Sequence, residues 1–396
     1  MELLFWSVIG LALYVYLGYP LVAWVAGRVL GREVRRAPIQ PRVSVVIAAY
    51  DEEDGIEARV RNVLASDYPP GQLEVVIASD GSSDATVERA RAVADERVRV
   101  LDLPRRGKAA ALAEGARHAT GEILVFSDAN TEFHERALAE LVAPFADEEV
   151  GGVAARTEYV LDERTDSAGR GEDLYWRYDT WLKAAETRTG SVVSAHGGMY
   201  AIRRELFRPV EDPSVTDDFA ISTAVVDQGK RLVFEPRAVA YERTMPEGGL
   251  EFRRRVRLMT RGLRSVLLRR RLLDPRRHGF YAVALASRKV LRRLVPLGLP
   301  VLLVTSLALA PTSRLYAAVA AAQLAALFLA ALGWAARRTA LGRSPALYAP
   351  LYFVLANAAA VLALWNVARG ERIEHWTPQR HGAGTEEVAV GRAPVR

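Results

Sequence analysis

Four uncharged, apolar stretches bracket a charged middle: residues 3–27, 294–313, 315–336 and 344–368 contain no Asp, Glu, Lys or Arg. A bilayer core takes ~20 helical residues, so each stretch is long enough to cross one. The first has neither the basic start nor the small-residue cleavage site of a signal peptide, and reads as a retained helix. Trp6, Tyr14, Tyr16, Tyr19 and Trp24 are suited to the aromatic belts of a membrane interface. Between residues 41 and 241 the pattern changes. Apolar runs at 43–49, 73–79, 98–101 and 122–127 alternate with helical spacing at 55–65, 84–94, 108–119 and 134–145. Strand–helix alternation with continuous apolar strands predicts an α/β domain whose mostly parallel sheet is covered on both faces. Ligands of such sheets bind beyond the carboxyl ends of the strands.

Charge sets an orientation. Arg28, Arg32, Arg35 and Arg36 follow the first stretch, Arg288, Lys289, Arg292 and Arg293 precede the second, and Arg337, Arg338 and Arg343 follow the third. Positive charge stays on the cytosolic side, which places the middle of the chain there. The fourth stretch is open. A full span would put Arg369, Arg372 and Arg380 outside, and Pro345, Pro350, Asn357 and Asn366 interrupt it, so it reads equally as re-entrant or interfacial. The expected organisation is a transmembrane helix over 1–30, a catalytic domain over 38–250, and basic interfacial helices over 251–293. A transmembrane region over 294–369, with two to three helices, and a partly disordered basic tail over 370–396 complete it. The absence of cysteine excludes disulfides and thiolate zinc sites, and the net charge of +6 admits nucleic acid, anionic lipid or phosphorylated substrates as partners.

Candidate chemistry sits where apolar runs end. The first run closes in Ala48-Ala49-Tyr50-Asp51-Glu52, the second in Ser79-Asp80-Gly81-Ser82-Ser83-Asp84, the fourth in Ser127-Asp128-Ala129-Asn130. Turn and cap chemistry accounts for such residues singly, and Asp84 reads as a helix cap. Three acidic ends on one sheet edge would instead line one crevice. Tyr50, Glu52 and Asp80 offer a flat surface and hydrogen-bond partners for a nucleotide base. Asp128 and the Asn130 carbonyl suit Mg²⁺ or Mn²⁺, which take oxygen ligands and keep few protein side chains beside phosphate oxygens. No GxxxxGK[ST] loop is present, which excludes a P-loop enzyme.

These motifs resemble family-2 glycosyltransferases of the GT-A fold. Ala49-Tyr50-Asp51-Glu52 is similar to the family's opening turn, with Asp51 for Asn. Asp80 to Asp84 is similar to its DGSxD turn, Gly107-Lys108 to its Gly-Lys pair, and Asp128-Ala129-Asn130 to its DxD metal motif. The resemblance implies a cytosolic, metal-dependent GT-A domain of a multi-pass protein in the bacterial inner membrane. It implies a nucleotide-sugar site from Ala48, Tyr50, Glu52, Asp80, Lys108, Asp128 and Arg257. The metal would lie on Asp128 and Asn130. The segment from Ser194 to Arg204 looks like the family's glycine-rich acceptor loop, with His196, Gly197 and Gly198 beside the acceptor, although a hydrogen-bonded loop histidine is an equal reading of His196. Thr216-Asp217-Asp218 is similar to the motif that carries the general base of inverting enzymes, placing the base at Asp218. Neighbouring Asp217 belongs to the same catalytic pair or caps the following helix. Ser287 to Pro296 and Trp376 to Arg380 resemble family segments at the start and after the end of the membrane region.

Residues 252–277 hold eleven arginines and one acid, Asp274, with apolar residues at helical spacing. An amphipathic helix on an anionic membrane fits this. Arg254-Arg255-Val256-Arg257-Leu258 also falls where the family has QxxRW, which implies Arg257 against the donor diphosphate. The family's tryptophan is Leu258 here, which counts against a processive synthase. The expected partners are a UDP- or GDP-sugar, a lipid-linked or growing glycan acceptor, and the membrane. Nucleic acid is excluded because the arginines adjoin apolar helices and lack an aromatic platform. Oligomeric state is unspecified. Cell-surface polysaccharide synthesis, a polyprenyl-phosphate sugar transferase and an inactive binding module are the readings the sequence leaves, in that order.

Overall fold

The computed structural model describes residues 1–160, 168–243, 250–337, 339 and 341–372. The 376–380 segment and most of the basic tail lie outside the described residues. Eight strands form one sheet: β1 Val43–Ala49, β2 Leu73–Asp80, β3 Val98–Leu103, β4 Ile123–Asp128, β5 Thr131–Phe133, β6 Val150–Val160, β7 Tyr200–Arg203 and β8 Arg231–Arg243. Their order is β3-β2-β1-β4-β7-β6-β8-β5.

The first four neighbours run parallel. β7 then runs antiparallel to β4 and β6, β6 and β8 are parallel, and β5 is antiparallel to β8. The sheet is therefore mixed, where the sequence pattern predicts a mostly parallel one. The expectation holds for the half whose strands are apolar throughout. All seven residues of β1 are buried, because helices cover both faces. Val46 and Ala48 pack with Ala111, Leu112 and Ala116 of the helix Lys108–His118. Val45 and Ile47 face Ile56, Val60 and Val63 of the helix Ile56–Leu64. Parallel strands share one direction, so the C-terminal ends of β1, β2 and β4 open on the same edge.

Four helices among the described residues are long and apolar enough to cross a membrane: Glu2–Val29, Phe280–Leu309, Arg314–Ala336 and Pro345–Ala368. Phe5 of the first, Leu302 of the second and Tyr316 of the third form a small core. Leu17, Phe328, Trp334 and Trp365 stay exposed, as lipid-facing side chains would. The fourth stretch is one continuous helix with Pro350 inside it. The basic helix Leu250–Leu268 lies beside it, and Arg255 reaches the Tyr352 hydroxyl.

Candidate active site

The site is built around Lys108. Gly107 adopts φ 97°, a region that favours glycine, and turns the chain into the helix Lys108–His118. Asp80, at the end of β2 and 1% exposed, fixes that turn. Its carboxylate accepts hydrogen bonds from the backbone N–H of Arg106 (2.7 Å) and Gly107 (2.9 Å) and from the Arg105 guanidinium (2.7 Å). Anchored this way, the Lys108 ammonium donates to Asp128 Oδ1 at 2.5 Å and lies 3.3 Å from Asp217 Oδ2. Burial alone would favour the neutral amine, but Asp128, Asp217 and Asp218 outweigh it and hold the ammonium charged.

Asp217 and Asp218 begin the helix Asp217–Asp227, with Thr216 at its cap position. Asp217 is thus drawn to Lys108 and is not the cap. The two carboxyls titrate apart. Burial pushes Asp217 upward, yet Lys108 and then Arg261 bring it below its ordinary value. Burial and then the Asp217 charge push Asp218 upward, against His196 and Lys289. A carboxylate raised in this way is suited to accept a proton. Asp218 Oδ1 also accepts the N–H of Phe219 at 2.7 Å, which fixes its rotamer.

The glycine-rich loop closes the far side. A Cβ on Gly197 would stand 3.2 Å from Asp128 Oδ2, and one on Gly198 would stand 2.3 Å from Glu242 Oε1. The backbone approaches the acids at the two places where no side chain is in the way. His196 Nδ1 is 3.5 Å from Thr157 Oγ1 and 3.8 Å from Glu242 Oε1. Glu242 is absent from the sequence expectations. It ends the apolar part of β8, the same signal that marks Asp80 and Asp128. Its Oε1 is buried with no hydrogen-bond partner, and burial pushes its carboxyl up, with Asp128 adding to that and His196 opposing. Behind Asp128, the Ser127 hydroxyl donates to Gly198 O at 2.6 Å and accepts from buried Arg59 at 2.8 Å.

The other predicted residues fall as follows. Ala48 is in the core of β1, in register with Asp128. The Tyr50 ring lies under the Arg105 guanidinium, 3.4 Å from its centroid. The Glu52 N–H donates to Thr86 Oγ1 at 2.8 Å, joining the β1 turn to the β2 turn. Asp84 stands one residue before Ala85, which holds the cap position of the helix Thr86–Arg91, and accepts the Thr86 N–H at 3.0 Å. Asn130 is exposed in the turn between β4 and β5. Among the described residues Arg257, on the basic helix, makes no hydrogen bond or ion pair with this cluster. The charges acting on it are Arg261 and Arg254, of its own sign.

Among the described residues no three His, Asp or Glu side chains group closely enough to hold a metal alone. The donor set still fits a hard cation. Asp128 presents oxygen at the sheet edge, Asn130 is open beside it, and the Glu242 oxygen that accepts no hydrogen bond adds a further buried oxygen. Such a site suits Mg²⁺ or Mn²⁺ sharing its ligands with a diphosphate.

Residues 44–210 match the family described as Glycosyl transferase family 2. A mannosyltransferase from Pyrobaculum calidifontis, solved in complex with GDP-Man and Mn²⁺, is 26% identical and superposes with a TM-score of 0.67 over 93% of this chain and 100% of its own. Beta-monoglucosyldiacylglycerol synthase of Trichormus variabilis is 28% identical over 46% of this chain and 40% of its own. Poly-beta-1,6-N-acetyl-D-glucosamine synthase of Staphylococcus aureus is 29% identical over 57% of this chain and 56% of its own. The chain thus spans about half the length of these two relatives. Over residues 44–210 it is similar to family-2 glycosyltransferases, and its fold is that of a GT-A glycosyltransferase.

Proposed function

We propose that this protein is a membrane-anchored, inverting glycosyltransferase. It takes a sugar from a nucleotide-diphosphate sugar, UDP- or GDP-linked, and passes it to a hydroxyl of a lipid-linked or growing glycan in cell-surface polysaccharide synthesis. The domain would face the cytosol of a bacterial inner membrane, as the flanking arginines favour. The observation that carries the reading is that Asp128, Asp217 and Asp218, from two separate elements, surround one lysine held in place by Asp80. The relatives' names cover mannose, glucose and N-acetylglucosamine chemistry, so they support the reaction class and no particular sugar.

The residues divide the work. Tyr50, Glu52 and the β2 turn receive the nucleotide, and Lys108 meets the diphosphate. Asp128 and Asn130 would hold a divalent cation, which when bound offsets the charge of the departing nucleoside diphosphate. Arg257 adds a guanidinium for phosphate oxygens. Asp218 takes the proton of the acceptor hydroxyl as its oxygen attacks the anomeric carbon. The bond to the diphosphate breaks in the same displacement, so the configuration inverts and no covalent sugar–enzyme intermediate is needed. A phosphate acceptor, as in a polyprenyl-phosphate sugar transferase, is already ionised and needs no base. The buried pair at 217–218 therefore favours a hydroxyl.

The test separates binding from transfer. Asp218→Asn keeps shape and volume, so it should bind nucleoside diphosphate as the wild type does and lose transfer of labelled sugar by ~10²–10⁴-fold, the usual worth of a general base. Wild-type turnover in this variant would assign the base to another group.

A further inference from the structure

On its sheet side the carboxylate pair at 217–218 faces Lys108, which Asp128 also neutralises. On its membrane side it faces Lys289, which makes no such ion pair among the described residues, although Asp218 and Asp179 lie within electrostatic range. Lys289 sits in the π-helical turn Ala286–Leu291, within the helix Phe280–Leu309. The basic first half of that helix is docked on the domain: the Tyr281 hydroxyl donates to Val193 O at 3.0 Å and Arg288 pairs with Glu186 at 2.9 Å. The uncharged stretch begins at Leu294. Lys289 therefore lies where the domain meets the apolar region.

Two arginines, Arg293 and Arg288, and two acids, Asp218 and Asp179, act on Lys289, and Asp179 is already paired with Lys183 and Arg288. Among the described residues Lys289 Nζ makes no hydrogen bond or ion pair; it lies 5.7 Å from the centroid of the Phe219 ring, the residue after Asp218. Arg293, one turn on, donates to Lys289 O at 3.0 Å, and its guanidinium lies against Gly262 of the basic helix, 2.9 Å from where a Cβ would stand. On that helix, among the described residues, the charges acting on Arg257 are Arg261 and Arg254, and Arg261 Nε is buried without an acceptor. Asp218 is within electrostatic range of Lys289, but a base that accepts a proton during turnover cannot remain its permanent counter-ion. Burial disfavours the charged form of a lysine with no ion pair, and an anionic ligand would stabilise that form.

We infer that Lys289, flanked by Arg293, seats the phosphate or diphosphate of a lipid-linked acceptor and so brings the acceptor hydroxyl to Asp218 from the membrane side. This rests on the glycosyltransferase reading and narrows its acceptor. The substrate class is an amphiphile with a phosphate ester close to the reacting hydroxyl, carrying few sugars or one. A neutral diacylglycerol would leave Lys289 unpaired, and a long polymer would carry the reacting hydroxyl far from any phosphate.

The probe is farnesyl diphosphate, bound to the full-length protein in nanodiscs of zwitterionic lipid with saturating nucleoside diphosphate present, so that the donor side is filled. Farnesol and inorganic diphosphate are the comparison ligands. Wild type should bind farnesyl diphosphate at least ten times more tightly than either comparison ligand. Lys289→Met should lose about tenfold or more of that affinity, Lys289→Arg should lose less, and the nucleoside diphosphate affinity of both should stay within about twofold, which also shows that they are folded. Unchanged binding of farnesyl diphosphate to Lys289→Met overturns the inference while leaving the enzyme assignment intact. Its displacement by nucleoside diphosphate does the same by moving the seat to the donor side. Equal affinity for inorganic diphosphate overturns the lipid half, since a free anion would then suffice. Failure of the wild type to bind nucleoside diphosphate at all would instead remove the glycosyltransferase reading and this inference with it.

Discussion

Asp218 is the residue on which pH should act most directly. Burial and the adjacent Asp217 charge raise its pKa above its ordinary value near 4. The base must be ionised to work, so kcat/KM should fall as pH drops through the raised value, and the acid limb should lie above that of a free carboxylate. Asp217 is the charged neighbour that pushes the limb up, whereas His196 and Lys289 pull it down. Asp217→Asn removes the upward push, so its limb should move to lower pH even where the maximum rate suffers. A pH profile of kcat/KM for the two proteins checks this, and an unmoved limb would detach Asp218 from the observed titration. At this scale much of the site is legible in the sequence. Asp80, Asp128, Asp217 and Asp218 each sit where an apolar run or a helix begins or ends, and position there implies convergence at one edge. Glu242 carries the same mark, but its value becomes visible only when Gly198, distant in sequence, packs against its carboxylate. Lys289 looks like one more membrane-flanking base until Phe219 and Asp218 are beside it.

Elements decide how well those residues are held. The helix Lys108–His118 approaches β1 and β2 through Gly115: a Cβ there would meet Val46 Cγ1 at 2.5 Å and Ala78 Cβ at 3.6 Å. Gly115→Val would wedge the helix off the sheet, at about 1–3 kcal/mol for overpacking, and carry Lys108 with it. Transfer should fall more than stability does, which parallel denaturation and rate measurements on the variant would show. Intact turnover would mean that the helix can shift without moving its first residue. The same scale explains which strands the sequence reveals. β1, β2, β3 and β4 are legible because apolar runs 43–49, 73–79, 98–101 and 122–127 are flanked by clear helices. β7 has only four residues, too few for a pattern. β6 opens with Gly151 and Gly152, and its pairing with β8 slips between Ala155 and Arg156, while Glu235, Pro236 and Arg237 interrupt β8 itself. Neither presents the uniform alternation or apolar run that marks a strand. The mixed half of the sheet, which carries the acceptor-side residues, was therefore the illegible half.

At the scale of the whole molecule, two of the membrane helices are tied to the domain by a buried network. Glu186, fully buried, accepts from the Tyr19 hydroxyl of the first helix at 2.5 Å and from Arg288 of the helix Phe280–Leu309 at 2.9 Å. Arg288 also pairs with Asp179, which Lys183 meets at 2.7 Å. Two acids and two bases balance, so the group is neutral while joining the first helix and the helix Phe280–Leu309 to the helix Ala168–Thr189. Glu186→Leu leaves one cation in excess, and Arg288→Met leaves one acid in excess. Removing one partner of a buried pair typically costs about 3–5 kcal/mol, whereas replacing the pair by apolar groups can be close to neutral. Each single variant should therefore lower the thermal midpoint of the purified protein in detergent by several degrees, and the double variant should recover a good part of the loss. The Tyr19 hydroxyl loses its acceptor in the double variant, so recovery should be incomplete, and adding Tyr19→Phe should improve it. Losses that simply add in the double variant would mean that the side chains act independently and that charge balance is not what couples the membrane helices to the site.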